Sequence, residues 1–588
     1  MLKKALYFLL FWGILFFAPI LVWATENSAE INPQISSQET TQILKAADIS
    51  KNDIKTYKKI FYALENNRIT AARKLTKKLD NKILLGHVKA QIYLSKTYTS
   101  SYPELKNWLD EYAYLPEAPR IYKLAQRKAP KNQKKNLPEP VFQKKFGYYN
   151  WNYQDFEDMS DKKLIFLEKQ VRSFAKNLNK GKTRTARIIL ENKTLQKQLP
   201  SKYYAFLSAK LAQKYLLDNE NALAQEWAQR TINREQDNAT GYWIAGLSSW
   251  RLKQYKTASG KFKTLGKMKN DDWLVAAGAY WAGRCYEKRG QKSLAKQWYK
   301  EAAKYKYTFY GILGSRKAGI TPGYQWTSMS YYNNLSLDNY LSGLMANDSV
   351  KRALILILCQ QYKLAGQEIM NSAEPIPDAQ KEALLFLAHK YRAHVIAMHL
   401  SKQLSTQNNN VCYDYFNYPI PHWEPEKGWR LNKALLLAVA RQESSFSPHA
   451  SSPAGAKGLL QLLPNTAYHI TKDKSLRQDC RPLFKAEYNL ELGQQYIEYL
   501  LDKPFVNGNI FYMLVAYNAG PGNLYKWLKT IKDNNDPLLF IELVPSRETR
   551  LYIERVMANY WIYQMRLGEN PQTLQEVSRG KWPRLIKK

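Results

Sequence analysis

Apolar residues along most of the chain recur at spacings of three and four residues, which is the period of an amphipathic helix. From about Ile43 to Lys317, alanine, leucine, tyrosine and tryptophan follow this spacing between lysine-rich faces. Segments that alternate apolar and polar residues, as half-buried strands do, are almost absent. The pattern therefore predicts an all-α protein built from many short helices.

Two helical hairpins within this region repeat with a period of 37 residues. An aromatic residue, two small residues, an alanine and a second aromatic residue recur in order, as the pairs Trp243 and Tyr280, Ala245 and Ala282, Gly246 and Gly283, Ala258 and Ala295, and Phe262 and Tyr299. Small residues at fixed places let paired helices approach closely, as in tetratricopeptide-like solenoids. We expect an extended superhelical array over residues 25–336, with an irregular helical array as the alternative.

The first residues have the features of a secretory signal. Lys3 and Lys4 precede an uncharged apolar stretch that ends in Val-Trp-Ala, so we expect residues 1–24 to be removed by cleavage after Ala24. An uncleaved membrane anchor is the alternative, because the stretch is just long enough to span a bilayer. Cleavage predicts a soluble periplasmic protein that contacts the membrane only before the signal is removed.

Two changes in composition divide the rest of the chain. Leucine-rich helices predict a small helical linker domain over residues 337–410. Residues 408–425 then open with three asparagines and contain three prolines, a composition that ends helices. A last domain is therefore expected over residues 411–588.

The composition restricts the classes of partner and cofactor. The formal net charge is +38, with 88 Lys and Arg spread along the chain. Export removes nucleic acid as a partner, so the charge fits either a polyanionic cell wall or a surface that keeps the protein soluble. The cysteines are too scattered for a disulfide framework or a zinc site, and one disulfide or none is expected among Cys285, Cys359, Cys412 and Cys480. We predict no metal and no cofactor.

Residues from Leu431 to Ser444 predict a helix that is apolar on nearly every side and carries Glu443 at its end. A negative charge near a helix C-terminus opposes the helix dipole, and burial disfavours the ionised carboxyl, so we expect a raised pKa for Glu443. A carboxyl that keeps its proton near neutral pH is what glycosidic bond cleavage requires. Most glutamates near helix ends are merely solvated, so this helix alone does not establish catalysis.

Three more motifs follow Glu443-Ser444, namely Gly-Leu-Leu-Gln-Leu-Leu-Pro at 458–464, Ala-Tyr-Asn-Ala-Gly at 516–520 and Glu-Thr-Arg-Leu-Tyr at 548–552. In order and spacing the four motifs resemble the soluble lytic murein transglycosylases, whose catalytic domain is similar to goose-type lysozyme. The resemblance covers roughly Leu431 to Tyr560. More weakly, the N-terminal region resembles that family's ring-shaped superhelical and linker domains. Leu460 and Leu463 stand where methionines are common in the family.

The resemblance implies roles for particular residues. Glu443 would serve as both acid and base, and the residues expected to bind substrate are Ser452, Gln461, Leu463, Tyr517 and Glu548. Ser452 would lie near the N-acetyl group of the sugar, Leu463 would pack near it, and Tyr517 would lie close to the Glu443 carboxyl. Glu548 is expected to contact sugar or peptide.

The resemblance also implies a reaction. Glu443 would protonate the oxygen that leaves N-acetylmuramic acid (MurNAc) in the β-1,4 bond to N-acetylglucosamine (GlcNAc) of peptidoglycan. The motifs offer no second carboxylate as a nucleophile, so ionised Glu443 would then deprotonate the 6-hydroxyl of the same sugar and form a 1,6-anhydro ring without water. Asp502, Asp533 and Asp536 are interpreted as surface groups, although one of them in the cleft would favour hydrolysis.

Two other functions remain as alternatives: a hydrolytic muramidase on the same scaffold, and a peptidoglycan-binding scaffold without turnover. The expected partners are peptidoglycan glycan strands, with other cell wall enzymes as candidates and no nucleic acid. The sequence leaves open the exolytic or endolytic mode, the preferred peptide stem, the disulfide pairing and whether the superhelix closes into a ring.

Overall fold

The computed structural model describes residues 37–95, 97–130, 136–141, 159, 161–326, 338–372, 375–407, 413–452 and 454–585. Every named element in these ranges is a helix, and the β contacts among them are isolated bridges, so the predicted all-α fold is confirmed. The expected signal peptide at 1–24 lies outside the described residues. In the ranges given above, no helix is both long enough and apolar enough to cross a membrane.

The N-terminal helices precede the repeated hairpins. They are Ser37–Ala46 (α1), Lys51–Glu65 (α2), Ile69–Thr76 (α3), Leu85–Tyr93 (α4), Tyr102–Tyr112 (α5) and Ala118–Lys128 (α6). Local sequence fixes the start of α5, because the Ser101 side chain accepts from the Glu104 backbone N–H and the Glu104 carboxylate accepts from the Ser101 backbone N–H.

The helical array continues from residue 161. Its helices are Asp161–Asn179 (α7), Thr183–Glu191 (α8), Lys193–Gln198 (α9), Ser201–Leu217 (α10), Asn221–Arg234 (α11), Ala239–Arg251 (α12), Tyr255–Leu265 (α13), Asp272–Lys288 (α14), Lys292–Ala303 (α15) and Phe309–Ala318 (α16). A Cβ added at Gly246 would lie 2.5 Å from the Phe262 ring, and one at Gly283 would lie 2.7 Å from the Tyr299 ring. The repeated glycines therefore let each hairpin partner bring its aromatic ring against the helix backbone.

The helices that follow the array share a hydrophobic core with the N-terminal helices. They are Asp338–Ala346 (α17), Asp348–Leu358 (α18), Tyr362–Met370 (α19), Asp378–Lys390 (α20) and His394–Gln407 (α21). Ile60 and Phe61 of α2 are buried in the same cluster as Leu354 of α18 and Leu384 of α20. The first described helices are thus packed against the helices that follow the array.

A buried group of charges reinforces this contact. His87 Nδ1 lies 2.9 Å from Glu117 Oε1, and its Nε2 lies 2.9 Å from Glu368 Oε1. Arg352 donates from Nε and Nη2 to Glu368 Oε2 at 3.0 and 2.9 Å. The pKa of His87 is raised to about 9, because the two carboxylates outweigh its burial, which acts in the opposite direction. An imidazolium between two carboxylates therefore joins α4 to α19.

The C-terminal part contains the predicted motifs. Its helices are Asp414–Asn417 (α22), Lys433–Ser444 (α23), Pro464–Thr471 (α24), Ser475–Gln478 (α25), a 3-10 turn at Arg481–Phe484, Ala486–Leu501 (α26), Ile510–Ala519 (α27), Pro521–Thr530 (α28), Pro537–Leu543 (α29), Arg547–Arg566 (α30) and Gln572–Ser578 (α31). The helix predicted from Leu431 begins two residues later, at Lys433, and ends at Ser444 as expected.

The array packs directly against this C-terminal part. Arg284 of α14 donates to Asp536 at 2.7 Å, and the Tyr310 hydroxyl of α16 donates to Glu542 at 2.5 Å. The Phe309 ring stacks on Trp561 of α30 with centroids 5.0 Å apart. Cys285, Cys359 and Cys480 are free thiols, and Cys412 lies outside the described residues.

Candidate active site

Glu443 occupies the last turn of α23, at the point where the chain leaves the core. The helix is buried from Ala434 to Ala440, so its apolar sequence places it inside the C-terminal part. Ser445 and Phe446 then adopt left-handed conformations, with φ of 51° and 62°, and end the helix. The buried Phe446 ring holds this turn by packing 5.9 Å from His394 and 6.4 Å from Tyr563, centroid to centroid.

The Glu443 carboxyl is partly exposed and has a strongly perturbed pKa. Burial raises its pKa to about 7, and the negative charge of Glu548 acts in the same direction. The Tyr552 hydroxyl opposes this, because it favours the ionised carboxylate. The direction agrees with the prediction from the apolar helix. A substantial fraction of Glu443 therefore carries a proton at neutral pH.

Two tyrosines, Tyr517 and Tyr552, lie near this carboxyl. The Tyr517 hydroxyl donates to the Leu460 carbonyl at 2.6 Å, and its ring stacks on Tyr552 at a centroid distance of 6.4 Å and an angle of 10°. The Tyr496 ring packs against Tyr517 at a centroid distance of 5.3 Å. Burial and the charge of Glu443 raise the pKa of Tyr517 and Tyr552 well above the ordinary value, so both hydroxyls keep their protons. Tyr517 is thus near Glu443, as predicted.

The sequence interpretation did not single out Tyr552 or Tyr496 as site residues. Tyr552 ends the Glu-Thr-Arg-Leu-Tyr motif, and it lies one helical turn after Glu548 on α30. That spacing places both residues beside the same carboxyl and could have identified Tyr552. Tyr496 lies on α26, where no local motif marks it.

The loop of the second motif is fixed by one buried asparagine. The Asn489 side chain accepts from the Leu460 backbone N–H at 2.8 Å and donates to the Lys457 and Leu483 carbonyls at 3.1 and 2.8 Å. Gly458 has φ of +76°, and a Cβ there would lie 2.1 Å from the Leu483 carbonyl oxygen. Only glycine fits this position, because both the backbone conformation and the space exclude a side chain. Asn489 lies outside the four motifs, and the sequence interpretation missed it.

Gln461 and Ser452 are tied to the same loop. Gln461 Nε2 donates to the Gly458 carbonyl at 2.8 Å and the Ala450 carbonyl at 3.1 Å, which leaves its Oε1 for other contacts. Ser452 Oγ accepts from the Ala456 backbone N–H at 3.0 Å, which leaves its hydroxyl proton free to be donated. Both side chains therefore brace the loop and keep one polar atom available.

The remaining predicted residues lie at the surface of the same region. Leu463 is 42% exposed at the start of α24, and Glu548 is exposed in the first turn of α30. Glu548 acts on Glu443 through its charge. Of the three aspartates interpreted as surface groups, Asp502 is exposed, whereas Asp533 and Asp536 are half-buried and Asp536 pairs with Arg284. Across the described part of the chain, no cluster of three His, Cys, Asp or Glu side chains could hold a metal ion.

A neutral, partly exposed carboxyl beside tyrosines can donate a proton to an oxygen of a bound ligand and afterwards accept one. Its exposure gives a ligand access, and its raised pKa supplies the proton near neutral pH. Polar atoms of Gln461 and Ser452 are carried on the adjoining loops. The arrangement can thus support acid and base chemistry on a bound ligand.

Comparison with known proteins agrees with this geometry. Residues 422–540 match the family model described as the transglycosylase SLT domain. Over 156 residues the chain is 35% identical to the soluble lytic murein transglycosylase of Escherichia coli K12, which covers 26% of this chain and 24% of the relative. With the Salmonella typhimurium protein of the same description, identity is 26% over 355 residues, covering 58% of this chain and 49% of the relative. The chain thus spans between a quarter and a half of the length of these relatives.

Two solved structures share the fold. The 70 kDa soluble lytic transglycosylase of Escherichia coli matches with a TM-score of 0.53 at 17% identity, over 91% of this chain and 99% of that one. An inactive glutamate-to-glutamine mutant of the lytic transglycosylase Slt from Pseudomonas aeruginosa matches with a TM-score of 0.56 at 17% identity, over 88% and 97%. At these identities the structural likeness concerns the fold alone. The sequence matches confirm the family resemblance that the four motifs predicted.

Proposed function

We propose, on the premise that the C-terminal part of this chain belongs to the transglycosylase SLT domain family, that the protein is a lytic transglycosylase of bacterial cell wall peptidoglycan. The observation that carries the proposal is the Glu443 carboxyl, which is partly exposed, has a pKa of about 7 and lies near Tyr517, whose hydroxyl donates to the Leu460 carbonyl of the second motif. The P. aeruginosa structure mentioned above is of an inactive mutant in which one glutamate became glutamine, which supports a glutamate as the essential group.

In the proposed first step, the protonated Glu443 carboxyl donates to the oxygen that links MurNAc to GlcNAc. As that β-1,4 bond breaks, the acetamido group of MurNAc stabilises the positive charge that develops at its anomeric carbon. Burial of Glu443 assists this step, because the raised pKa keeps the carboxyl protonated near neutral pH, so that the proton is available when the bond breaks. The leaving GlcNAc takes the proton and departs as an alcohol.

In the second step, the Glu443 carboxylate accepts the proton of the MurNAc 6-hydroxyl while that oxygen bonds to the anomeric carbon. The product is a 1,6-anhydroMurNAc end, no water is consumed, and Glu443 regains its proton. A hydroxyl held on the same sugar has a large effective concentration, which favours ring closure over attack by water. The proposal needs no cofactor, since one carboxyl serves both steps.

The substrate-binding roles are part of the proposal. The Ser452 hydroxyl proton and Gln461 Oε1 are the hydrogen-bonding groups that the contacts within the loop leave available for a sugar. Leu463 offers an exposed apolar side chain for the acetyl methyl group. Tyr517 forms the wall behind Glu443, and Glu548 contributes a negative charge that keeps the Glu443 proton in place.

The domain organisation and location are proposed from the sequence. Residues 1–24 would be the signal peptide, 25–336 the superhelical domain, 337–410 the linker domain and 411–588 the catalytic domain. Cleavage of the signal would release the protein into the periplasm, where it meets glycan strands. Other cell wall enzymes are the proposed protein partners.

Digestion of purified peptidoglycan by the purified chain tests the reaction. Mass spectrometry should find anhydromuropeptides, and the Glu443→Gln variant should yield almost none. Glu487→Gln, which changes an exposed glutamate on α26, is the matched control and should retain activity. Products heavier by one water would instead show a muramidase, and binding to the wall without products from a folded chain would show a scaffold.

A further inference from the structure

Two adjacent cavities lie where the N-terminal helices meet the linker helices, separate from the Glu443 carboxyl. The larger, of about 370 Å³, is lined by α2, by the residues that follow α18 and by His449 from the C-terminal part. The smaller, of about 250 Å³, lies between α1, α2 and α18 and shares Lys58 and Gln360 with the larger. We call the two cavities together the junction groove. The larger cavity alone falls in the range of roughly 300–1,000 Å³ that small-ligand sites occupy.

The junction groove has an excess of positive charge. Lys58 and Lys59 line the larger cavity, and Lys51 and Lys58 line the smaller. Within the described residues none of these three lysines forms an ion pair. Glu65 is the carboxylate in the lining, and it already accepts a hydrogen bond from Gln361 Nε2 at 3.2 Å. Cations without carboxylate partners at a concave surface attract anionic ligands.

The smaller cavity of the groove also has apolar lining residues, which restrict the class of ligand that it could bind. The smaller cavity is lined, beside its lysines, by the apolar side chains of Leu44, Ile54, Ile357 and Leu358. A simple inorganic anion would gain nothing from these side chains, whereas a ligand with both carboxylates and short apolar groups would contact both surfaces. An acidic peptide has this combination.

His449 connects the groove to the candidate active site. It lies between Glu443 and Ser452 in the sequence, and its ring packs 5.8 Å from Phe484. The neighbouring Ala450 carbonyl accepts from the Gly458 backbone N–H at 3.0 Å and from Gln461 Nε2 at 3.1 Å. A ligand in the larger cavity would therefore contact His449, and the next residue, Ala450, is hydrogen-bonded to the second motif.

We propose that the junction groove binds an acidic peptide, with its carboxylates at Lys58 and Lys59 and its apolar side chains over Ile54 and Ile357. The inference rests on the proposed function, because peptidoglycan strands carry such peptides as stems. The N-terminal helices would then hold a stem on a surface that the linker helices complete, away from the bond that is cut. This assigns to α2 a role in recognising the substrate.

Fluorescence anisotropy with a labelled tetrapeptide that carries two carboxylates tests the proposal. The full chain with Glu443→Gln is used, so that the readout is binding and not turnover. Replacing both lysines, Lys58→Gln with Lys59→Gln, should weaken binding by roughly 2- to 25-fold, because each exposed ion pair contributes about 0.2–1 kcal/mol. Lys55→Gln is the matched control, since Lys55 is an exposed lysine of α2 outside the lining and its loss should leave binding unchanged.

Two further arms identify the ligand chemistry. A peptide whose carboxylates are amidated should bind about tenfold more weakly, because it loses the attraction to both lysines. Inorganic phosphate should compete only at far higher concentration than the peptide. Equal affinity for the amidated peptide, competition by phosphate at the same concentration, or full binding by the folded double variant would each overturn the proposal. Loss of lytic activity would not overturn the proposal, because the assay measures binding of the peptide directly. A failure of the proposed function would therefore be a separate result.

Discussion

The titration of Glu443 provides a direct test of the proposed mechanism. With a pKa of about 7, about half of the carboxyl groups carry a proton at pH 7, whereas with the ordinary value of 4.5 fewer than one in about a hundred would. The free enzyme must hold that proton to begin the reaction. We therefore expect kcat/KM to be level at acid pH and to fall about tenfold per pH unit above pH 7.

The falling part of this pH profile above pH 7 is its alkaline limb. Two substitutions should move the alkaline limb in opposite directions. Tyr552→Phe removes a hydroxyl that favours the carboxylate, so the pKa of Glu443 should rise and the limb should move to higher pH. Glu548→Gln removes a negative charge that favours the protonated form, so the limb should move to lower pH. A hydrogen bond contributes about 0.5–1.5 kcal/mol, so Tyr552→Phe should displace the pH profile by roughly 0.4–1 pH unit.

The Tyr552→Phe variant should fold normally. The substitution keeps the aromatic ring and its stacking on Tyr517, so the packing is preserved. The assay is the initial rate of peptidoglycan clearing at low substrate, from pH 4.5 to 9 at constant ionic strength, with Glu487→Gln as the control. A limb near pH 4 to 5, or a limb that stays in place in both variants, would refute the assignment of Glu443 as the acid.

Three further predictions concern stability. Because the pKa of Glu443 is raised in the folded chain, the chain loses stability as pH rises from about 4.5 to 7. In a calorimeter, the Glu443→Gln variant should therefore melt like the parent chain at pH 4 and about 2–4 °C higher than the parent chain at pH 8. Gly458→Ala should cost more than about 2 kcal/mol in urea unfolding, whereas Gly455→Ala, with φ of +91° but no atom within 4 Å of its Cβ, should cost only about 1 kcal/mol. His87, whose pKa is raised to about 9, stabilises the fold fully below about pH 6.5 and loses this effect as pH rises through 9. His87→Leu should cost about 3–5 kcal/mol at pH 7 and remove that pH dependence, and an unchanged melting profile from pH 7 to 10 would contradict the ion-pair assignment.

Features encoded by a short stretch of sequence could be predicted. The three-and-four spacing of apolar residues predicted the helices, and the helix that carries Glu443 differs from the prediction only by beginning at Lys433. The direction of the Glu443 pKa followed from the same apolar helix. The glycine and aromatic positions of the repeat predicted close hairpins, which the contacts of Gly246 and Gly283 show.

Features that join distant segments could not be predicted. Asn489 holds the second motif through three hydrogen bonds, but a single asparagine within a helical segment has no local pattern that distinguishes it. Gln461 was expected to face substrate, and only the structure shows that its amide nitrogen also braces the loop. The apolar faces of the first helices were evident, but which helices would cover them was not, because the period of a helix does not specify its partner.

The shared core of α2 with α18 and α20 has a consequence for biogenesis. Ribosomes produce the amino-terminal helices first, yet the apolar residues that complete their core begin only at Leu341. Until that later segment has been synthesised, the early helices expose apolar surfaces that favour misassembly. We therefore expect nascent chains to depend on a holding chaperone, and truncations that end before Leu341 to aggregate even though every helix of the array is present.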